Sequence, residues 1–272
     1  MKKPFLLLML LPLVCVFALS ADGQQNKRPA KMKLVWSDEF KKDGLPDKTK
    51  WSYDVGDHGW GNQEKQYYTR DRLENARVKN GKLIIEARRE DFEKAKYTSA
   101  RLVTKGKGDW KFGRIEVRAK IPKGLGTWAA IWMLPSQTIY GKQFWVDNGE
   151  IDIMENVGFE PNVIHASTHT LAYNWMKKEQ KTAIHKVPTA DSKFHVYWLD
   201  WTPERVEIYV DKTKYFTHEN EGKGWETYPF DQKFHLILNI AVGGSWGGQK
   251  GIDDKVFPAQ MEIDWVRVYQ AQ

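Results

Sequence analysis

Three carboxylic acids lie close together in the segment 149–157, whose sequence is GEIDIMENV. If this segment is a strand, Glu150 and Asp152 project from the same face because side chains alternate along a strand. Plain alternation would place Glu155 on the opposite face. A β-bulge near Ile153–Met154 adds one residue and returns Glu155 to the face of the other two acids. The segment therefore predicts a bulged strand that gathers three carboxylates on one surface.

Carboxylates that share a surface repel one another, so the pKa of at least one rises and that acid stays protonated near neutral pH. A protonated acid beside an ionised one is the pair that glycoside hydrolysis requires. We therefore interpret Glu150 as the nucleophile, Glu155 as the general acid and later the base, and Asp152 as the residue that hydrogen-bonds Glu150 and tunes its charge. A bare Glu-x-Asp-x-x-Glu pattern also occurs in surface ion-pair networks, so the spacing alone leaves both interpretations open.

The composition of the 272-residue chain favours a folded protein, and its mild positive charge weakly favours a neutral or acidic ligand. Hydrophobic residues make up 41% and charged residues 28%, which is enough for a packed core. The formal charge of +7 is spread without a dense basic run, so nucleic acid is not an expected partner. Thirteen tryptophans, all after residue 35, exceed what a core usually needs and suit a surface that stacks sugar rings.

The first twenty residues have the pattern of a signal peptide. Lys2 and Lys3 precede an apolar run from Phe5 to Ala18, which is followed by a small-x-small cleavage site. The run is short for a membrane span, and no other window is long enough. We predict a signal peptide at 1–20, a flexible leader at 21–32 and a single catalytic domain at 33–272.

These features predict a secreted or periplasmic protein, and a monomer is the default expectation. The only cysteine, Cys15, lies in the segment predicted to be removed, so disulfides, cysteine metal sites and thiol catalysis are excluded for the mature chain. A lipid-attachment role for Cys15 is disfavoured, because the preceding Val14 is bulky and an apolar stretch follows.

Strand signals dominate the rest of the chain. Segments 82–88, 114–120 and 205–210 are short β-rich runs, and 114–120 alternates strictly between apolar and charged residues. Further strand candidates lie at 194–201, 234–242 and 261–269. No helical stripe extends beyond two turns. Many short strands separated by Gly, Pro and Asp predict an all-β sandwich of two sheets.

Eight sequence blocks, in order, resemble glycoside hydrolase family 16, and in particular its bacterial laminarinase branch, the endo-1,3-β-glucanases. The resemblance covers residues 34–270, and its blocks are 36–40, 59–69, 97–102, 126–135, 150–155, 169–170, 238–248 and 264–270. It implies a β-jelly roll of two antiparallel sheets with a concave substrate cleft. It also implies a retaining mechanism on a β-glucan, with Glu150, Asp152 and Glu155 as the catalytic residues.

The matched blocks also suggest which residues bind sugar. Three indoles are predicted in the cleft: Trp128, Trp145 and Trp246. Indole faces match the C–H faces of pyranose rings. Trp60, between two glycines, is predicted to be exposed, whereas strand neighbours place Trp132 and Trp265 in the core.

Four polar residues are predicted beside these indoles: Asn62, Glu64, Arg101 and His169. Asn62 and Arg101 would hydrogen-bond sugar hydroxyls, and His169 would lie near the acid/base and help set its protonation. His165 and His169 have the spacing of a helical metal pair, but on a strand they lie too far apart to chelate well. No cofactor is therefore expected for catalysis.

The resemblance also implies a structural calcium ion on the convex face. Its ligands would be Glu39, the backbone of Gly81 and Asp264, and oxygen ligands suit calcium. Ordinary solvated surface charges explain these two acids equally well.

Two alternatives remain open at this point. The same scaffold could act on mixed-linkage β-glucan or on a galactan, because the acid spacing is shared among family branches. A jelly roll is also a common lectin scaffold, and a glucan-binding lectin without turnover would need no catalytic acids. The presence of all three acids favours the enzyme.

Overall fold

The computed structural model of the protein describes residue 1 and residues 31–272. The predicted signal peptide and all but the last two residues of the predicted leader therefore lie outside the described residues, apart from Met1. The first strand begins at Met32. In the part of the chain that is described, no helix has the length and apolar character needed to cross a membrane.

Residues 31–272 form eighteen strands and three short 3-10 segments. The 3-10 segments are Gly59–Gly61, Trp175–Lys177 and Asp254–Val256. The strands are β1 (Met32–Asp38), β2 (Ser52–Asp54), β3 (Gln66–Tyr68), β4 (Ala76–Lys79), β5 (Lys82–Phe92), β6 (Ala95–Ser99), β7 (Arg101–Val103), β8 (Asp109–Trp110), β9 (Gly113–Lys120), β10 (Thr127–Pro135), β11 (Glu150–Val157), β12 (Val163–His169), β13 (Lys181–Lys186), β14 (His195–Trp201), β15 (Arg205–Val210), β16 (Thr213–Glu219), β17 (Phe234–Val242) and β18 (Ala259–Ala271).

The strands form two sheets, which confirms the predicted all-β sandwich. The ten-stranded sheet has the order β16-β15-β14-β9-β18-β5-β6-β3, with β1 also paired to β18 and β4 to β5. The eight-stranded sheet has the order β13-β12-β11-β10-β17-β7-β2, with β8 also paired to β17. Among the described strands the pairing is antiparallel except between β3 and β6.

The hydrophobic core lies between the two sheets. Strand β9 contributes Ile115, Val117 and Ala119 to it and turns its charged residues outward, as alternation predicts. All nine residues of β17 are buried. Each large apolar side chain removed from water contributes about 1.5–3 kcal/mol, so these two central strands supply much of the stability of the sandwich.

The other face of the eight-stranded sheet carries a pocket. On β10, Ala129, Ile131 and Met133 belong to the core, whereas the alternating residues Trp128, Ala130 and Trp132 line the pocket. The small side chain of Ala130, and that of Ala241 on the neighbouring strand β17, leave room on the pocket floor. The core therefore fixes the strands from one side while the pocket uses their opposite side.

Candidate active site

Strand β11 contains the predicted bulge. From Asp152 to Glu155 it advances three residues, while the paired strand β12 advances only two, from Ser167 to His165. The pairing with β10 on the other side slips in the same interval. One extra residue is therefore inserted in β11 at Ile153–Met154, which confirms the bulge predicted from the sequence.

The bulge brings the three acids to one pocket. Ile153 and Met154 are both fully buried in the core, so neither side chain faces the pocket. Glu150, Asp152 and Glu155 all line the pocket. Its complete lining is Trp60, Asn62, Glu64, Arg101, Trp128, Ala130, Trp132, Glu150, Asp152, Glu155, Asn239 and Ala241.

A second bulge, on the other sheet, contacts the first. In β16 the register against β15 slips so that Tyr215 is the extra residue. Its hydroxyl donates a 2.8 Å hydrogen bond to the backbone carbonyl of Ile153. A bulge leaves its extra residue outside the strand ladder, and buried backbone groups need another partner. Tyr215 supplies that partner from across the sandwich.

Two indoles hold the outer acids. Trp145 Nε1 donates to Glu150 Oε2 at 2.7 Å, and Trp128 Nε1 donates to Glu155 Oε1 at 2.9 Å. Hydrogen bonds to a carboxylate are stronger than those between neutral groups, so each indole fixes the orientation of its acid. Trp128 and Trp145 were predicted as sugar platforms. The structure shows both as hydrogen-bond donors to the acids, and their role as sugar platforms stays a prediction.

The three acids share a proton-binding environment. Burial raises the pKa of Asp152 well above its ordinary value, and the charge of Glu155 adds to the effect. Burial and the neighbouring Asp152 raise the pKa of Glu150 to about 8, although the Trp145 N–H opposes them. Burial raises the pKa of Glu155 to about 7, against the hydrogen bond from Trp128. The triad therefore holds at least one proton near neutral pH and titrates as a unit.

This arrangement predicts that Asp152→Asn makes protein stability less dependent on pH between about pH 6.5 and 8.5. A carboxyl whose pKa rises on folding binds more protons in the folded state, so the free energy of unfolding falls as the pH rises through the folded pKa. Burial lowers the pKa of His218 and His235 to about 4, and these two act in the opposite direction. Their effect ends near the unfolded histidine pKa of about 6.5, below this window.

Urea unfolding at the two ends of this window measures the effect. The unmodified protein should lose more stability on going to the higher pH than Asp152→Asn does. Glu219→Gln, which removes an exposed carboxylate from strand β16 of the other sheet, is the control and should show the unmodified loss. Equal losses in all three proteins would contradict the shared proton.

His169 lies beside the acids as the strand partner of Glu150. Its Nε2 is 3.3 Å from Asp152 Oδ2, and its ring centroid is 6.2 Å from that of Trp145. The strand partner of Glu155 is instead His165, whose Nε2 lies 3.0 Å from Glu160 Oε2. His169 is thus placed to act on the Glu150–Asp152 pair.

Within residues 31–272, one group of three potential metal ligands has its ligand atoms within 4.8 Å of one another: Glu150, Asp152 and His169. These are the same side chains that acid-base chemistry would use. A cation bound there would compete with the proton that the triad holds.

A stack of three side chains forms one wall of the pocket. The Arg101 guanidinium lies 4.7 Å from the ring centroids of both Trp60 and Trp132, and its Nε is 2.9 Å from Asp54 Oδ2. The core position predicted for Trp132 is wrong. Alternation from Trp128 along β10 places Trp132 on the pocket face, where its Nε1 donates to Asn239 Oδ1 at 2.7 Å.

These features match one family of known proteins. The sequence model of Glycosyl hydrolases family 16 matches residues 63–267. The chain belongs to glycosyl hydrolase family 16. It is 59% identical to the beta-glucanase of Rhodothermus marinus over 242 residues, which are 87% of this chain and 85% of that protein.

Solved structures of this family have the same fold. The laminarinase from Rhodothermus marinus is 57% identical, with a TM-score of 0.89 over 90% of this chain and all of that one. SCLam, a non-specific endo-β-1,3(4)-glucanase from family GH16, is 46% identical, with a TM-score of 0.85 over 90% of this chain and 93% of that one.

In this family 16 chain, Asn62 and Glu64 occupy the pocket side predicted for them. The buried Glu64 carboxylate accepts hydrogen bonds from Gln66 Nε2 at 2.7 Å and from the Tyr68 hydroxyl at 3.1 Å, and burial raises its pKa. Tyr68 also accepts from Asn239 Nδ2 at 3.0 Å. Gln66, Tyr68 and Asn239 connect Glu64 to the pocket floor, and no pattern in the sequence predicts this role for them.

Trp246 lies on the side of the sheet predicted for it, whereas Trp265 does not. Trp246 is half-buried beside the pocket, with its ring 5.4 Å from Trp128 and 4.8 Å from His165, both edge-on. The core position predicted for Trp265 is wrong. A register slip in β18 between Ile263 and Trp265 turns this indole outward, where the Arg267 guanidinium lies 4.1 Å from its ring.

The acids implied as calcium ligands are paired with arginines. Arg267 donates to both carboxylate oxygens of Glu39 at 2.9 Å, and Arg118 pairs with Asp264. Gly81 lies in the exposed β4–β5 turn with a φ of 72°. As the side chains lie, this donor set does not fit a cation, because each carboxylate already neutralises a guanidinium. The calcium site stays a prediction from the sequence.

Proposed function

We propose that this family 16 hydrolase is an endo-β-1,3-glucanase that cleaves laminarin-type β-glucans with retention of anomeric configuration. The observation that carries the proposal is the β11 bulge, which brings Glu150, Asp152 and Glu155 into one pocket. The names of the Rhodothermus marinus relatives, a beta-glucanase and a laminarinase, support the substrate class.

The first step forms a covalent intermediate. The Glu150 carboxylate attacks the anomeric carbon, and the glycosidic C–O bond breaks as Glu155 donates its proton to the departing oxygen. In the second step Glu155, now ionised, takes a proton from a water molecule. The resulting hydroxide attacks the same carbon and releases Glu150. Two inversions at one carbon give net retention.

Asp152 helps to keep Glu150 ionised while Glu155 is protonated. It is 2% exposed and receives no indole N–H, whereas Glu150 and Glu155 each receive one. We therefore assign the shared proton to Asp152, which lets Glu150 carry the negative charge that a nucleophile needs. With the proton on Asp152, the charge repulsion that helps raise the pKa of Glu150 is gone, so we assign the first ionisation of the coupled triad to Glu150. Glu155, whose pKa burial raises to about 7, then keeps its own proton in mildly acidic solution.

The remaining pocket residues suit a neutral sugar chain. Trp60 and Trp132 present aromatic surface, while Asn62 and Arg101 present N–H donors. A pyranose ring has the same combination of apolar C–H faces and polar hydroxyl edges. A β-glucan polysaccharide or oligosaccharide is therefore the proposed partner.

A mixed-linkage β-glucan is the second candidate substrate, because SCLam is named as non-specific between the two linkages. We test both by incubating the purified chain with laminarin, lichenan and agar and measuring new reducing ends. Cleavage of laminarin in preference to the others supports the proposal. Preferential cleavage of lichenan or agar would move the assignment to mixed-linkage glucan or galactan, and glucan binding without cleavage at any pH would indicate a lectin.

We also propose that the chain is exported and acts outside the cytoplasm as a monomer. The support for export is the charged, apolar and small-x-small pattern of residues 1–20. A β-glucan polysaccharide is too large to enter a cell freely, so an enzyme that shortens it works best after export.

Tyr215→Phe tests whether the contact between the two bulges matters for catalysis. Loss of the hydroxyl leaves the buried Ile153 carbonyl unpaired, which should lower the free energy of unfolding by about 1–3 kcal/mol. Because Ile153 lies in the bulge that directs Glu155, we expect kcat to fall more than KM rises, and the basic limb of the pH–rate profile to move.

The measurement is the pH dependence of kcat, made well below the melting temperature so that the variant is folded. Tyr197→Phe removes another buried hydroxyl from the same sheet and is the control. A Tyr215→Phe protein that is less stable but has the kcat and pH profile of the control would show that the hydroxyl only stabilises the fold.

A further inference from the structure

The connection between β12 and β13 exposes two large apolar side chains beside the pocket. Trp175 is 50% exposed and Met176 is 57% exposed, in the 3-10 segment Trp175–Lys177. Packing against the core does not explain an indole that is half in water. Its position next to the pocket raises the question of what it contacts during function.

The connection that carries Trp175 is rigidly built. The preceding Asn174 is 1% exposed, and its amide donates to the carbonyls of Thr170 at 3.0 Å and Leu171 at 3.2 Å. Its side-chain oxygen accepts from the backbone N–H of Lys177 at 3.3 Å. The indole is thus presented outward on an ordered support, which lowers the entropy lost when a ligand binds to it.

The exposed indole continues an aromatic surface that starts at the acids. The ring centroid of Trp175 lies 6.4 Å from that of Trp145, with the planes inclined by 35°. Trp145 in turn donates to Glu150. In the sheet order, Arg101 on β7 lies on one side of β11, and the β12–β13 connection lies on the other. Trp145 and Trp175 therefore extend the pocket away from Arg101.

We propose that Trp175, flanked by Met176, forms an outer carbohydrate subsite for a glucose residue of a chain that leaves the pocket past Trp145. Consecutive residues of a 1,3-linked glucan turn relative to one another, so two platforms inclined to each other suit it better than a flat 1,4-linked ribbon. This inference rests on the proposed function and adds a residue that favours long substrates.

Trp175→Ala tests the outer subsite, with kinetics on laminarin and on a series of 1,3-linked glucose oligosaccharides of increasing length. We expect KM for laminarin and the longest oligosaccharides to rise on the order of tenfold, since one stacking contact is worth about that factor. The kcat should stay within about twofold. The shortest cleaved oligosaccharide, which does not reach Trp175, should be unaffected.

Two further variants make the result specific. Trp175→Phe keeps an aromatic face and should recover most of the affinity. Leu73→Ala removes a similarly exposed apolar side chain, 49% exposed, from the segment before β4 and should change nothing. A Trp175→Ala protein with unchanged KM at every length, or with equal changes at every length, would overturn the outer subsite while leaving the glucanase proposal intact.

Binding without turnover separates the two proposals. In the Glu150→Gln background, electrophoresis through gels that contain laminarin reports affinity alone. We expect migration to be retarded, and Trp175→Ala to reduce the retardation. Retardation that Trp175→Ala does not change would overturn the subsite. Absence of laminarin hydrolysis by the unmodified chain would instead contradict the proposed function, whatever Trp175 does.

Discussion

Glu150→Gln is expected to lower the kcat on laminarin by at least about 10⁴-fold while KM changes little. The amide is nearly the same size as the carboxyl and can still accept the Trp145 N–H, so the pocket keeps its shape. It cannot attack the anomeric carbon, however, and no other carboxylate of the triad is held by Trp145. The loss therefore falls on the chemical step rather than on binding.

Initial rates of reducing-end release from laminarin measure this loss, and thermal unfolding verifies that the variant is folded. Glu219→Gln, an exposed substitution of the same type on β16, should retain full activity. A Glu150→Gln protein with a kcat within tenfold of the unmodified chain would show that another group is the nucleophile.

Glu155→Gln is expected to lower the kcat on laminarin by about 10²–10⁴-fold, the usual contribution of a general acid or base. Loss of the general acid should make the rate of the first step depend on the leaving group. A sugar with an activated aryl leaving group needs no proton to depart, so the first step should proceed at nearly the normal rate. The second step still needs a base to activate water, so the covalent glycosyl-enzyme should accumulate.

Intact-protein mass spectrometry after mixing with an aryl β-laminaribioside detects the covalent glycosyl-enzyme. We expect the mass of Glu155→Gln to increase by one laminaribiosyl group, accompanied by a burst of the aryl alcohol that the same step releases. The Glu150→Gln protein is the matched control and should show neither. A loss of kcat/KM on the activated substrate as large as that on laminarin would contradict the assignment of Glu155 as the acid, because kcat/KM reports the first step alone.

The parts of the site that follow local rules could be predicted from the sequence. The bulge in β11 follows from three acids whose spacing conflicts with simple alternation, and the register of β11 against both neighbours confirms it. The same alternation, counted from Trp128, would also have placed Trp132 in the pocket. The apolar neighbours of Trp132 indicate a core position, but they point to the opposite face of the strand.

Other parts depend on contacts that no local pattern encodes. The outward position of Trp265 is not one of them, because the register slip in β18 is marked in the sequence: the buried apolar positions change phase from Met261 and Ile263 to Val266 and Val268. The bond from Tyr215 to Ile153 joins residues 62 positions apart across the sandwich. The parallel pairing of β3 with β6 likewise depends on how the chain returns to the sheet.

Proton NMR of the first products released from laminarin tests the central claim most directly. Retention requires the nucleophile and the acid to lie about 5–5.5 Å apart, whereas inversion requires about 6.5–9.5 Å to admit a water molecule. If the β11 bulge draws Glu155 toward Glu150 as we infer, the newly formed reducing ends appear first as the β-anomer and later equilibrate. First appearance of the α-anomer would contradict the account.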